Sequence, residues 1–319
     1  MGIGGTLIAA LLAVFERPST WAFALAGFLV RGGWLIVLAP IVVLPTAVGI
    51  ANVVAPLLED IAFGRNTEDV VRSGGTALLV VVLWFLVGGL LGAATETETV
   101  RRTAGSLERG RVRADAPSGG TGRLFVARLV ALLPLIVALA WAAFRFVGVG
   151  YRELTNPSDV ALPVSLRIVI GAPDAALGIL AGLLFGEVVG AIAARRIVLE
   201  GEGVRAALAD GVGALRGRPA RSIALAALSA VILILVLLIT GIATGTAWDA
   251  LRGALAEGDA SIATTLILVL FVGLFAGGLV LIGLVSAWRS ALWTVEVLDA
   301  GGPRLDGTFG GGAGTRTGD

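Results

Sequence analysis

The stretch Ala175–Ala194, AALGILAGLLFGEVVGAIAA, is apolar or glycine at every position except Glu187, and Asp174 and Arg195-Arg196 bound it. About 20 mainly apolar residues in a helix cross about 30 Å of hydrocarbon, so this stretch predicts a transmembrane helix. Gly178, Gly182, Gly186 and Gly190 recur at every fourth position and therefore share one helix face. Small residues in such a row let a second backbone approach closely, which drives helix association in lipid. The row reads as packing within the chain, a homodimer face or a cavity wall. Its candidate partners are Gly241/Gly245 and Gly273/Gly277.

Outward from this helix, five more stretches have the same character: one within Thr20–Leu58, then Thr76–Thr95, Leu124–Gly148, Ser222–Thr244 and Ser261–Ala287. The fold class is all-α, a polytopic bundle of six spans over residues 1–300. The first stretch is long for one span and short for two, and Pro40, Pro45 and Pro56 lie in its second half. A helix kinked or ended near those prolines, followed by a re-entrant or interfacial piece, is expected. Leu7–Phe15 is apolar, but no basic residue precedes it and Glu16-Arg17-Pro18 follow. It lacks the pattern of a cleaved signal, and Thr6–Phe15 reads as an interfacial helix or as the first turns leading into the membrane.

Composition supports the same class. Hydrophobic residues make up 57% of the 319 and charged residues 15%, and the mean hydropathy is +0.95. A soluble domain averages about 25% charged residues. There is no Cys and no His, and all 24 basic residues are Arg. Thiolate nucleophiles, disulfides, His general bases and His- or Cys-ligated metals are thereby excluded. Nucleic-acid binding lacks its basic footprint at a net charge of +1.

Arginine placement sets the expected orientation. With six spans, 16 Arg fall on the side of the two termini, 5 on the other side, and Arg31, Arg128 and Arg145 within spans. Basic excess marks the cytoplasmic side. A multi-pass plasma-membrane protein with both termini cytoplasmic is expected. Glu96–Arg123 reads as a polar loop, Thr95–Thr99 as a solvated helix exit, Val204–Leu215 as an amphipathic helix on the interface, and residues 301–319 as a disordered cytoplasmic tail.

Arg17-Pro18 and Arg218-Pro219 each follow an Ala/Leu-rich amphipathic stretch and precede a span, and Asp115-Ala116-Pro117 precedes span three. These units suggest a threefold repeat of helical hairpins over 1–100, 101–200 and 201–300. Proline suits the first helical turn, where its missing N–H costs nothing. The unit Leu199-Glu200-Gly201-Glu202-Gly203-Val204-Arg205-Ala206-Ala207-Leu208, followed by Leu215-Arg216-Gly217-Arg218-Pro219, resembles the cytoplasmic helix between spans four and five of the membrane domain found beside glycerophosphoryl diester phosphodiesterases. The resemblance implies a membrane scaffold; the phosphodiesterase catalytic domain itself is absent from this chain.

Ionisable residues inside spans are functional candidates by default. Arg128 and Arg145 lie near span ends and read as snorkelling anchors, and Asp174 as a helix cap. Arg31 and Glu187 lie deeper and at similar depth. They are expected to pair with each other, locking spans one and four, or to form a proton- or anion-coupled transport site. Arg31 would instead be cytoplasmic if span one began after Gly33. No metal, cofactor or enzymatic activity is expected. The primary expectation is a membrane scaffold or accessory subunit whose basic face meets anionic lipid headgroups or a membrane protein partner. The alternative is a small-solute transporter or permease, whose mark would be a cavity reaching Glu187.

Overall fold

The computed structural model describes residues 2–42, 63, 67–107, 120–159, 161–257 and 262–300. The 301–319 tail, the Asp115–Pro117 unit and the prolines at 45 and 56 lie outside the described residues. Every regular element among those described is helical. They are α1 (Ile3–Glu16), α2 (Ser19–Phe28), α3 (Trp34–Leu38), α4 (Thr67–Leu107), α5 (Gly120–Thr155), α6 (Val164–Gly171), α7 (Pro173–Arg195), α8 (Val204–Gly217), α9 (Pro219–Ala256) and α10 (Ile262–Ala300). Six helical segments are long and apolar enough to cross a membrane. Span one joins α2 and α3, and spans two to six are built on α4, α5, α7, α9 and α10. The chain is a multi-pass helical membrane bundle.

The helices outrun their apolar cores. At 1.5 Å per residue the 41 residues of α4 reach about 60 Å, twice the hydrocarbon thickness. No proline or glycine interrupts Ala93–Thr103, so the helix continues where hydropathy falls. The expected polar loop from Glu96 is thus helical as far as Leu107, and Thr95–Thr99 is not a solvated exit: Glu96, Thr97 and Thr99 are buried. Starts and stops follow local chemistry. Pro173 and Pro219 occupy the first turns of α7 and α9. Span four ends where Gly201 adopts φ 74°, a left-handed conformation that glycine takes without a Cβ penalty.

Span one breaks in its middle. Leu29–Gly33 forms a π-turn, and Gly32 has φ 102°. The kink falls at a glycine, which reaches the positive-φ region that a helix interior excludes, and span one ends at Leu38, two residues before Pro40, as the prolines predict. Pro40 packs on span five, where a Cβ on Gly245 would lie 3.3 Å from the proline Cβ.

Span four packs along its glycine row against span three. An added Cβ would stand 2.8 Å from the Leu135 Cα at Gly182, 3.1 Å from the Ala131 carbonyl oxygen at Gly186, and 3.3 Å from the Ala131 Cβ at Gly190. At Gly178 the contact with Ala138 relaxes to 3.9 Å. The partner differs from those named by sequence: Gly241 and Gly245 meet Pro40, and Gly273 and Gly277 have nothing within 4 Å. A repeat of small residues encodes closeness of approach and not the identity of the approaching helix.

The two amphipathic helices dock at one end of the bundle, which we call proximal. α1 buries Ala10 and Val14 against Ala287, Ala291 and Leu292 of span six, and its Val14 carbonyl accepts the Trp21 indole N–H at 2.9 Å. α8 buries Ala207 and Gly211, and a Cβ on Gly211 would come 2.8 Å from the Val189 carbonyl of span four. α8 therefore leans on helix backbone and does more than float at an interface. Arg221 clamps this end by donating to both Glu296 oxygens at 2.6 and 2.8 Å and to the Thr6 hydroxyl at 3.2 Å.

Candidate functional site

The break in span one positions the site. It carries Arg31 toward span two, where Nη2 donates to Glu96 Oε2 at 2.6 Å and to the Gly92 carbonyl at 2.7 Å. Glycines make this approach sterically feasible. A Cβ on Gly88 would lie 2.7 Å from the Val30 carbonyl, and one on Gly92 would lie 2.5 Å from the Arg31 Nε.

Glu96 is the hub. It accepts from Arg31, from Arg128 of span three through Nε at 3.2 Å and through a short Nη2 contact, and from Arg195 of span four at 3.2 Å. Both terminal nitrogens of Arg195 are held. Its Nη1 also donates to the Ala191 carbonyl at 2.9 Å, and its Nη2 donates to the Ser290 carbonyl and hydroxyl at 3.0 and 2.9 Å. The side chain of Arg195 is 2% exposed and that of Glu96 7%. A lone charge in a membrane helix costs about 2.5–3.5 kcal/mol even on lenient scales. Charge-assisted bonds to one carboxylate offset that cost but leave three guanidinium groups facing a single negative charge.

Glu187 pairs elsewhere. Arg289 of span six donates to its two oxygens, Nη2 at 2.7 Å and Nε at 3.1 Å. The expected Arg31–Glu187 pair is therefore not formed. Both residues are ion-paired, each with a different partner, because helix α4 extends far enough to bring Glu96 to the depth of Arg31. Arg128 is likewise no interfacial anchor, since it turns inward to Glu96. At the opposite, distal end, Arg145 and Asp174 form a two-pronged contact at 2.9 and 3.0 Å. Asp174 sits in the first turn of α7, and no side chain caps that helix at Ala172.

These side chains wall a polar cavity of about 510 Å³ between spans one, two, three, four, five and six. Arg31, Arg128, Arg195, Arg289, Glu96 and Glu187 all line it, so four guanidinium groups face two carboxylates. Its wall also includes Gly32 and Gly33 of the break, Ser286 and Trp293. Behind this wall three buried polar atoms have no hydrogen-bond partner, Arg195 Nε, Trp293 Nε1 and Ser286 Oγ, and all three are sealed from the cavity. The first two are obligate donors and the hydroxyl can donate. A cavity with excess positive charge favours an acceptor-rich anion. Among the described residues no group of three or more Asp or Glu is placed to hold a metal ion.

The sequence reading singled out Arg31 and Glu187, and both reach the cavity. Glu96, Arg195 and Arg289 were missed as site residues. Glu96 had a signal: Ala93, Thr97, Val100 and Ala104 are spaced three and four apart and are all buried, which continues a helix face through the supposed loop. No family model matches this chain, and no curated protein and no solved structure matches it.

Proposed function

We propose that this protein is a non-enzymatic plasma-membrane protein that binds an anionic ligand within its helix bundle, as a permease-type site does. The carrying observation is the cavity that reaches Glu187 and sets four arginines against two glutamates. Two supports accompany it. The span-one helix is discontinuous at the cavity, and broken helices supply binding sites in transporters because freed backbone groups can face a ligand. The chain has no His or Cys for nucleophilic or acid–base chemistry. The Arg asymmetry supports cytoplasmic termini, and in this reading the proximal end faces the cytoplasm.

A scaffold role with a basic cytoplasmic face is the second reading, in keeping with the membrane-domain resemblance. It is favoured by Arg205 on α8, which is exposed and suited to anionic headgroups or a protein partner.

The deciding experiment is thermal unfolding of the detergent-purified protein with inorganic phosphate, against chloride at equal ionic strength. A ligand that binds only the folded state stabilises by about 2.7 kcal/mol at a hundred times its Kd. A saturable rise in Tm with phosphate, lost in Arg31→Gln, supports the anion site. Equal curves in phosphate and chloride refute it. Orientation is tested separately, using the Cys-free background. A Cys at Ser158 should label from outside intact cells, and one at Ala206 only after permeabilisation.

A further inference from the structure

A second chamber adjoins the first. A cleft of about 840 Å³ lies between spans one to five, reaching Arg289 of span six, and shares Arg31, Arg128, Glu187, Leu233 and Arg289 with the polar cavity. The rest of its wall is hydrocarbon or glycine: Trp84, Phe85, Phe125, Leu129, Leu183 and Ile234 are representative. These large apolar side chains leave the cleft open on one side, with Ile234 61% and Trp84 48% exposed.

We infer that the ligand of this site is an anionic phospholipid, its phosphate headgroup in the polar cavity and its acyl chain in the apolar cleft. The inference rests on the anion-site reading above and adds the class of ligand. Charge complementarity orients the molecule. The shared wall is where three of the four arginines stand, so a phosphate there meets Arg31, Arg128 and Arg289 against the single carboxylate of Glu187. A small hydrophilic anion would use the first chamber and leave the second without an occupant. Together the chambers exceed the roughly 300–1,000 Å³ of a small-molecule site. Their order, charged then apolar, is that of a lipid lying along the helices. Each buried methylene adds about 0.8 kcal/mol, so a chain in the cleft contributes affinity that a headgroup alone cannot.

The test is lipid-dependent thermal stabilisation of the full-length protein in delipidating detergent. It uses phosphatidylglycerol, phosphatidylcholine, glycerol 3-phosphate and inorganic phosphate, with native mass spectrometry counting retained lipid. Phosphatidylglycerol is expected to stabilise at concentrations about tenfold or more below those needed for phosphatidylcholine or glycerol 3-phosphate, with one molecule retained. Ala230→Trp, which fills the cleft from span five, should abolish the phosphatidylglycerol effect and keep the phosphate effect. Ile234→Trp repeats that arm at an exposed position if the first variant does not accumulate. Equal stabilisation by phosphatidylcholine means that the cleft only faces bulk lipid, and it overturns the inference. So does an unchanged phosphatidylglycerol effect in the filled variants. If phosphate and glycerol 3-phosphate stabilise while phosphatidylglycerol does not, the anion site stands and the lipid assignment fails. If no anion stabilises, both fail.

Discussion

The proximal and distal halves of the same helices are held by different means. In the proximal half, Val188–Arg195 of span four are all buried, Trp293 and Leu292 are sealed from solvent and lipid, and ion pairs cross between spans. In the distal half, Leu238, Leu266 and Val269 are exposed, and the closure is the small cluster of Ala142, Val149, Ala172 and Ala175 with the half-exposed Arg145–Asp174 pair. Both halves are similarly apolar in sequence. In lipid, apolar residues gain little by leaving one another for a neighbouring helix, so small residues and polar bonds decide where helices meet. Those residues concentrate at the proximal end, and packing follows them.

The largest expected effect comes from removing the proximal hub. Glu96→Leu strips three guanidinium groups of their shared carboxylate, and loss of one partner in a buried ion cluster costs about 3–5 kcal/mol. Folded yield and Tm in detergent should fall sharply, whereas Glu96→Asp should retain part of both. A Glu96→Leu protein with unchanged Tm would mean that the arginines are solvated and the hub is not structural.

A smaller effect separates two glycine rows that look alike in sequence. Gly182→Leu would drive a side chain into the Leu135 backbone, an overpacking worth about 1–3 kcal/mol. Gly273→Leu enters open space and should leave Tm unchanged. Equal losses at both sites would erase the contrast between packed and lipid-facing rows.

The pairing of Glu187 with Arg289 sharpens the comparison further. In a double-mutant cycle with Glu187→Gln and Arg289→Gln, a contacting pair is expected to show a coupling of about 0.5–3 kcal/mol. The same cycle between Glu187 and Arg31 should show less, since Arg31 is bound to Glu96.

The smallest effect is a pH dependence at the turn into α8. Glu202 lies outside the spans, and its carboxyl is held above the usual range by burial, then by the charges of Asp210 and Glu200. A raised folded-state value means that the folded protein holds this proton more tightly than the unfolded chain. The associated stability is present below the ordinary carboxylate range, about 4.3 for Glu, and is lost as pH rises through the raised value. Unfolding measured between pH 4 and pH 7, roughly across that window, should show a small decline that Glu202→Gln removes.

Much of this fold is legible in the chain. Pro173 and Pro219 announce helix starts, Gly201 a helix end, and the period-four row of span four its packed face. What is not legible is choice of partner. Gly182 and Gly186 announce a close approach and fit any helix with a flat face. Arg31 announces the need for a carboxylate, but Glu96 looks solvated because Thr-Glu-Thr-Glu-Thr lowers local hydropathy. Only the buried continuation through Val100, Thr103 and Ala104 reveals that this polar run is inside. Arg289 and Arg195 sit where apolar spans give way to charge, so hydropathy assigns them to the surface, whereas long helices carry them into the bundle.

The most direct measurement concerns Trp293, which lines the cavity together with Arg195 and Arg289. We would titrate the wild type and Trp293→Phe with phosphate and take the difference in tryptophan emission. The account predicts a saturable change in that difference, absent in chloride and weakened in Arg31→Gln, as anion oxygens enter the cavity. A difference signal that stays flat, or that follows ionic strength alone without saturating, would contradict an anion site at the Glu96 hub.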